Sequence, residues 1–234
     1  MKTLVCYVFH QYNSRVQHFI DNAIFEDPNI DFLIVINDLD FKLDLPSYVK
    51  VFNRSNIGFD FGGWSEGILT NNLYKSYTHF IFANSSIMGP YLPSNYSGKW
   101  TDIFINGLTD SIKLFGPTIN TCRDPLHKSH VQSYLFSMNL ETLEYLISKD
   151  IFSLRVYPTN MYEAVWHREV PMSLVLLQNG WNIGSLMKEY QGIDFTFKTA
   201  NPNIEYLDDI MCPREIGWNR FQEFVFIKGN RFGL

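Results

Sequence analysis

The chain has 234 residues, 46% of them hydrophobic and 16% aromatic, which supplies a substantial core and excludes a disordered chain. Nineteen Lys and Arg against 24 Asp and Glu give a net charge of −5 without a basic cluster, which argues against a nucleic-acid partner, because phosphates need a basic stripe. No apolar run reaches the roughly 20 residues of a membrane span, and the odd, widely spaced Cys6, Cys122 and Cys212 suit reduced thiols in a cytoplasmic setting.

Short β-branched and aromatic runs alternate with segments of helical period, the pattern of an α/β sheet with crossover helices. Residues 4–9 (LVCYVF) read as a buried strand rather than a signal peptide, since no small-residue cleavage site follows. Asn13 or Ser14 caps a helix in which Val16, Phe19, Ile20, Ala23 and Ile24 fall on one face, and Asp27, Pro28 and Asn29 end it. Residues 32–36 and 49–52 are the next two strands, which gives the first half a βαββ, nucleotide-binding look. Ligands in such sheets sit at the strand carboxyl ends. Those ends carry His10 and Gln11, Asn37 and Asp38, and the polar stretch 53–60.

A helix is expected over 65–75, then a fourth strand over 79–83 that runs into Asn84, Ser85 and Ser86. Further on, strands are expected near 114–118 and 131–137, and a helix over 140–149 capped by Asn139. Another helix is expected over 172–178, with Pro171 in its first turn and Gly180 at its close, then a last strand over 224–228. No repeat or linker interrupts the chain, so a single α/β/α domain with a mixed, mostly parallel sheet is expected.

The densest motif is NIGFDFGGW, residues 56–64. Its glycines would let backbone approach a ligand, and Asp60 would accept hydrogen bonds from a base or ribose; the plainer alternative is a tight turn with Asp60 as helix cap. In FANSSIMGP, residues 82–90, the small oxygen-bearing side chains suit a hydrated cation or a pyrophosphate, or simply cap a strand end. Gly63 to Gly67 match G-x-S-x-G, but an elbow follows its strand directly and here a loop intervenes, which makes a Ser65 hydrolase a minor alternative. His127 and His130 lack a third zinc ligand nearby. Sequons at Asn53, Asn84 and Asn95 read as chance matches, and no P-loop, HExxH or GxGxxG is present.

Together NIGFDFGGW, FANSSIMGPYLP, the later HVQSYLFSMN and the terminal EFVFIKGNR resemble the small GT-A-fold glycosyltransferases related to bacterial rhamnan-synthesis proteins and to those of large algal and amoebal DNA viruses. The resemblance covers most of the chain. It implies inverting transfer of a sugar from a nucleoside diphosphate sugar, with a UDP-sugar favoured, to a hydroxyl of an oligosaccharide or other glycan. It also implies a cytoplasmic protein, in the host-cell cytoplasm if viral. About residues 1–90 would hold the nucleotide sugar and about 91–234 would shape the acceptor site.

Asn84, Ser85 and Ser86 would stand at the family's Asp-x-Asp position, where Mn²⁺ or Mg²⁺ bridges the diphosphate. Neutral Asn84 and Ser86 are weaker metal ligands than carboxylates, so Lys228 and Arg231 are expected to offset diphosphate charge. His10 and Gln11 would flank the nucleotide, and Asp60 would orient the nucleoside. Glu169 is the candidate general base, placed just ahead of a helix N-terminus whose dipole favours a carboxylate, with Glu163 as the alternative. Tyr162, Trp166 and Trp181 would stack on sugar faces or fill the core. The neutral triplet keeps open a second class, a non-catalytic nucleotide-sugar or glycan-binding domain of the same fold.

Overall fold

Strand β1 (Thr3–Phe9) is buried along its whole length and pairs in parallel with β2 (Ile30–Ile36) and β4 (His79–Asn84). The computed structural model describes residues 1–121, 129–197, 204–205, 207 and 220–234; Cys122, His127 and Cys212 lie outside the described residues. With β3 (Val49–Asn53), β6 (Ile112–Gly116), β9 (Leu135–Asn139) and β10 (Asn182–Ser185), these strands form a seven-stranded sheet in the order β10-β6-β9-β4-β1-β2-β3. Strand β9 is antiparallel to both neighbours and every other pairing is parallel. The sheet is thus mixed and mostly parallel, flanked by helices, and consistent with a single GT-A-like domain.

Side chains alternate across a strand, and β1 shows which helix covers which face. Tyr7 stacks on Phe19 of α1 (Ser14–Ala23), and Phe19 meets Trp100 of α3 (Trp100–Asn106). Cys6 and Val8 face α2 (Phe59–Leu69) instead. Burial pushes the Cys6 thiol up, so it is an inert core group. Asn13 caps α1 by accepting the N–H groups of Arg15 and Val16 at 3.0 and 3.2 Å, and Asn139 caps α4 (Leu140–Ser148) through Thr142 N–H at 2.9 Å, as the sequence predicts. No helix among the described residues is long and apolar enough to cross a membrane.

Four expected elements differ. Helix α2 begins at Phe59, not 65, because Gly58 at φ +78° turns the chain into it. Two of the NIGFDFGGW glycines therefore lie inside the helix, and a Cβ on Gly63 would stand 2.6 Å from Val8 Cγ2. Gly63 brings helix and sheet together and Gly62 leaves room for the Ile57 carbonyl of the preceding loop, and Asp60 is an intrahelical residue, not the cap. After Leu69 the chain tightens into 3₁₀ turns over Thr70–Ser76, interrupted by Asn71 and Asn72 at positive φ.

The expected strand over 131–137 is two strands, β8 (His130–Val131), paired with β7 (Ile119–Asn120), and β9. The expected helix over 172–178 is the end of a longer helical run, α5 (Met161–Ala164), a π turn (Val165–Glu169) and α6 (Val170–Gln178). Finally, residue 224 ends α7 (Phe221–Phe224), and only β11 (Ile227–Lys228) is extended, antiparallel to β5 (Ile87–Met88).

Ser65 lies in α2, 2% exposed, and accepts Ser153 N–H at 3.1 Å. It is a core residue and not a nucleophile elbow. Beside it, Arg54 is 3% exposed and donates to Asn37 Oδ1 at 2.8 Å, Ile57 O at 2.6 Å and Glu66 Oε1 at 2.7 Å, fastening the loop before α2 onto the sheet. Removing one partner of such a network leaves the others unpaired, so Arg54→Met is expected to destabilise the protein by about 3 kcal/mol. Urea unfolding checks this, and an unchanged midpoint contradicts it.

Candidate functional site

A cleft of about 300 Å³ opens at the carboxyl edge of the sheet. The end of β4 and the turn to β5 contribute Asn84 and Ser86, and the first turn of α2 contributes Phe59 and Asp60. The link between β8 and β9 adds Ser133 and Tyr134, and the α5–α6 run adds Met161, Val165 and Glu169. Lys228 pairs with Ile87 across the β11–β5 ladder, which carries Lys228, Asn230 and Arg231 into the same cleft.

Asn84 Nδ2 donates to Asp60 Oδ2 at 2.8 Å, while Asn84 Oδ1 accepts Ser86 N–H at 3.0 Å and Ser86 Oγ–H at 2.5 Å. Desolvation pushes the Asp60 carboxyl up to about 6; the Asn84 hydrogen bond opposes this, the charge of Glu169 adds to it, and Lys228 offsets part. Two carboxylates and a lysine therefore share one electrostatic environment. Lys228 Nζ lies 5.7 Å from the centroid of the buried Tyr134 ring. Among the described residues no group of three His, Cys, Asp or Glu side chains is placed to hold a metal ion.

Glu169 faces the cleft with its side chain 13% exposed. Ser133 donates both its backbone N–H, at 2.7 Å, and its hydroxyl to Glu169 Oε2, and His130 Nε2 stands 3.7 Å from Oε1. Glu169 stands immediately before α6, as expected, but it continues the π turn with φ −58° and ψ −58° and makes no side-chain cap hydrogen bond to that helix. Ser133, from a neighbouring segment, orients the carboxylate instead. The π turn closes through Val170 N–H to Val165 O, and such turns concentrate at functional sites.

Asp60, Asn84, Ser86, Glu169, Lys228 and Arg231 are thus brought together. The other candidates are not among the cleft-lining residues. Glu163 is half-buried and accepts Thr159 N–H at 2.7 Å and Oγ1–H at 2.9 Å at the start of α5; chiefly the backbone bond holds its carboxyl below the usual range. His10 sits at the end of β1 with Nδ1 2.8 Å from Asn37 O, and Gln11 is exposed beyond it. Ser85 is engaged through its backbone, N–H to Val8 O at 3.1 Å and C=O to Arg15 Nε at 2.9 Å. Trp181 packs edge-on against Tyr145, whereas Tyr162 and Trp166 are 66% and 38% exposed on the helical run whose neighbouring face lines the cleft. Sequence reasoning missed Ser133 and Tyr134, because a continuous strand over 131–137 conceals the break that turns them toward the site.

A family model described as rhamnan synthesis protein F matches residues 40–217. That span includes Asp60, Asn84, Ser86, Ser133 and Glu169 and stops short of Lys228 and Arg231. Virulence protein VirA of Vibrio anguillarum (strain ATCC 68554 / 775) is 32% identical over 116 residues, 48% of this chain and 33% of that protein, and a second V. anguillarum sequence of the same description matches equally. The chain spans about a third of the length of the curated relatives it matches.

Proposed function

Because the chain belongs to the rhamnan synthesis protein F family, we propose that it is a glycosyltransferase that moves a sugar from a nucleoside diphosphate sugar, a UDP-sugar in the first instance, to a glycan hydroxyl with inversion. The observation that carries this reading is the cleft itself, in which a carboxylate held by two Ser133 donors faces basic residues.

Glu169 Oε2 accepts both Ser133 donors, and Oε1, 3.7 Å from His130 Nε2, is the oxygen that takes a substrate proton. An acceptor hydroxyl bound there gives its proton to Glu169 as its oxygen attacks the anomeric carbon; the bond from that carbon to the diphosphate breaks and the electron pair leaves on the phosphate oxygen. Lys228 and Arg231 stabilise the charge that develops on the leaving group. The exposed Tyr162 and Trp166 rings, beside the cleft, offer the acceptor sugar an apolar face.

Thermal unfolding with UDP, GDP, dTDP and CDP tests the donor side. A ligand at about 100 times its Kd adds about 2.7 kcal/mol, which for a chain of this size raises Tm by roughly 5–10 °C. One nucleoside diphosphate is expected to produce that shift, and no shift with any of the four removes the proposal's basis.

A further inference from the structure

Arg15 stands in the first turn of α1, where the helix dipole disfavours a cation, so α1 itself does not account for it. It is not among the residues that line the cleft. Half-buried, Arg15 donates from Nε to Ser85 O at 2.9 Å and from Nη1 to Leu234 O at 2.8 Å. Asn13 fixes the Arg15 backbone by accepting its N–H at 3.0 Å. One planar guanidinium thus joins two distant backbone segments, and a lysine ammonium does not offer that fixed fork.

Both segments deliver cleft residues. Ser85 lies between Asn84 and Ser86, and residues 226–234 form an arm that carries Lys228, Asn230 and Arg231. The arm leaves α7 through Val225 at φ +63° and ψ −46°, with Phe226 N–H donating to Phe224 O at 2.6 Å. This is a γ-turn of the rare, strained kind, on a β-branched residue that seldom takes positive φ. Such a conformation persists only where the surroundings hold it. Beyond Val225 the arm is held to β5 by a two-residue ladder, Ile227 with Met88 and Lys228 with Ile87. It then curls so that Gly229 O accepts the N–H groups of Phe232 and Leu234 at 2.9 and 3.1 Å. Arg15 fastens that curl to the strand-end turn, and its stem packs beside Gly229, where a Cβ would stand 3.0 Å from Arg15 Cδ and 2.8 Å from Met88 Cβ.

Resting on the reading of this cleft as a nucleoside diphosphate sugar site, we propose that Arg15 is a positioning residue for the leaving diphosphate: it fixes the arm, and with it Lys228 and Arg231, against the turn that carries Asn84 and Ser86. Arg15 itself does not touch the donor. Its contribution passes through the two basic side chains that meet the diphosphate, so its loss is felt by a nucleoside diphosphate and not by the monophosphate.

Calorimetric titration of the protein with UDP, or whichever nucleoside diphosphate binds, and with the corresponding monophosphate tests this without turnover. Arg15→Met, which keeps an apolar stem and removes the fork, is expected to weaken the diphosphate about tenfold, the order of one charge-assisted contact, and to leave the monophosphate unchanged. Arg15→Lys is expected to fall with Arg15→Met, and Gly229→Ala, which crowds Met88 and Arg15, to show the same selective loss. In a Lys228→Ala, Arg231→Ala background, Arg15→Met is expected to cost nothing further. Equal losses for diphosphate and monophosphate, parental affinity in Arg15→Met or Arg15→Lys, or an undiminished further loss in the double-alanine background overturns the positioning role and leaves the transferase reading standing. If Arg15→Met does not fold, Arg15→Lys and Gly229→Ala give the same decision. If no nucleoside diphosphate binds the parent, the transferase reading is overturned, and this proposal with it.

Discussion

Glu169→Gln is expected to lower kcat for sugar transfer by about 10²- to 10⁴-fold, the usual contribution of a positioned general base. The substitution separates proton acceptance from packing. Glutamine keeps an oxygen for the N–H and hydroxyl of Ser133, both of which now converge on Glu169 Oε2, so the side chain stays in place while the ability to take a proton is lost. Nucleotide affinity and Tm should stay close to the parent's. Glu163→Gln serves as the contrast, since Glu163 is not among the cleft-lining residues and is bound to Thr159 at the start of α5; it should leave turnover nearly unchanged. Steady-state kinetics on the two proteins decides between the carboxylates, and full activity in Glu169→Gln would falsify the base assignment.

Asp60→Asn is expected to stabilise the free protein at neutral pH while weakening its ligand-binding function. The folded protein keeps the Asp60 proton up to about pH 6, whereas an unperturbed carboxyl releases it near 3.8. Between those values the folded state binds more protons than the unfolded state, so stability falls as pH rises through the window, and the full penalty is in force above it. Asparagine does not titrate. The variant should therefore match the parent at pH values below about 3.5 and gain on the order of 1–2 kcal/mol at pH 7.5, after discounting for partial exposure of the group. Denaturant melts at the two pH values measure this. A gain of equal size at both would show that packing, not ionisation, is responsible. Stability held back at one carboxylate is a common signature of a site shaped for a ligand rather than for the empty fold.

Asp60 also shows how a motif can be found and misjudged. NIGFDFGGW is conspicuous because three glycines and an acid are dense in a short stretch, and composition alone invites the reading of a ligand loop. Gly63 instead admits Val8 and Asn37 against α2 and Gly62 admits the Ile57 carbonyl, and Asp60 reaches the cleft because α2 starts early enough to point it there. The G-x-S-x-G match fails for the same reason, since its serine is on a buried helical face. Glu169 lines the cleft just ahead of α6, but the helix expected over 172–178 is the end of a longer helical run, and Ser133 supplies the hydrogen bonds that orient the carboxylate.

Strands β1 to β4, α1, α4, their asparagine caps and the α/β class were determined by the sequence itself, because alternation, helical period and capping involve groups only a few residues apart. Tertiary structure alone decided the site. Asn84 meets Asp60 24 residues away, Ser133 holds Glu169 across 36, and Lys228 is set beside the cleft by pairing with Ile87. Which carboxylate meets which donor depends on those distant partners, and no local pattern encodes it.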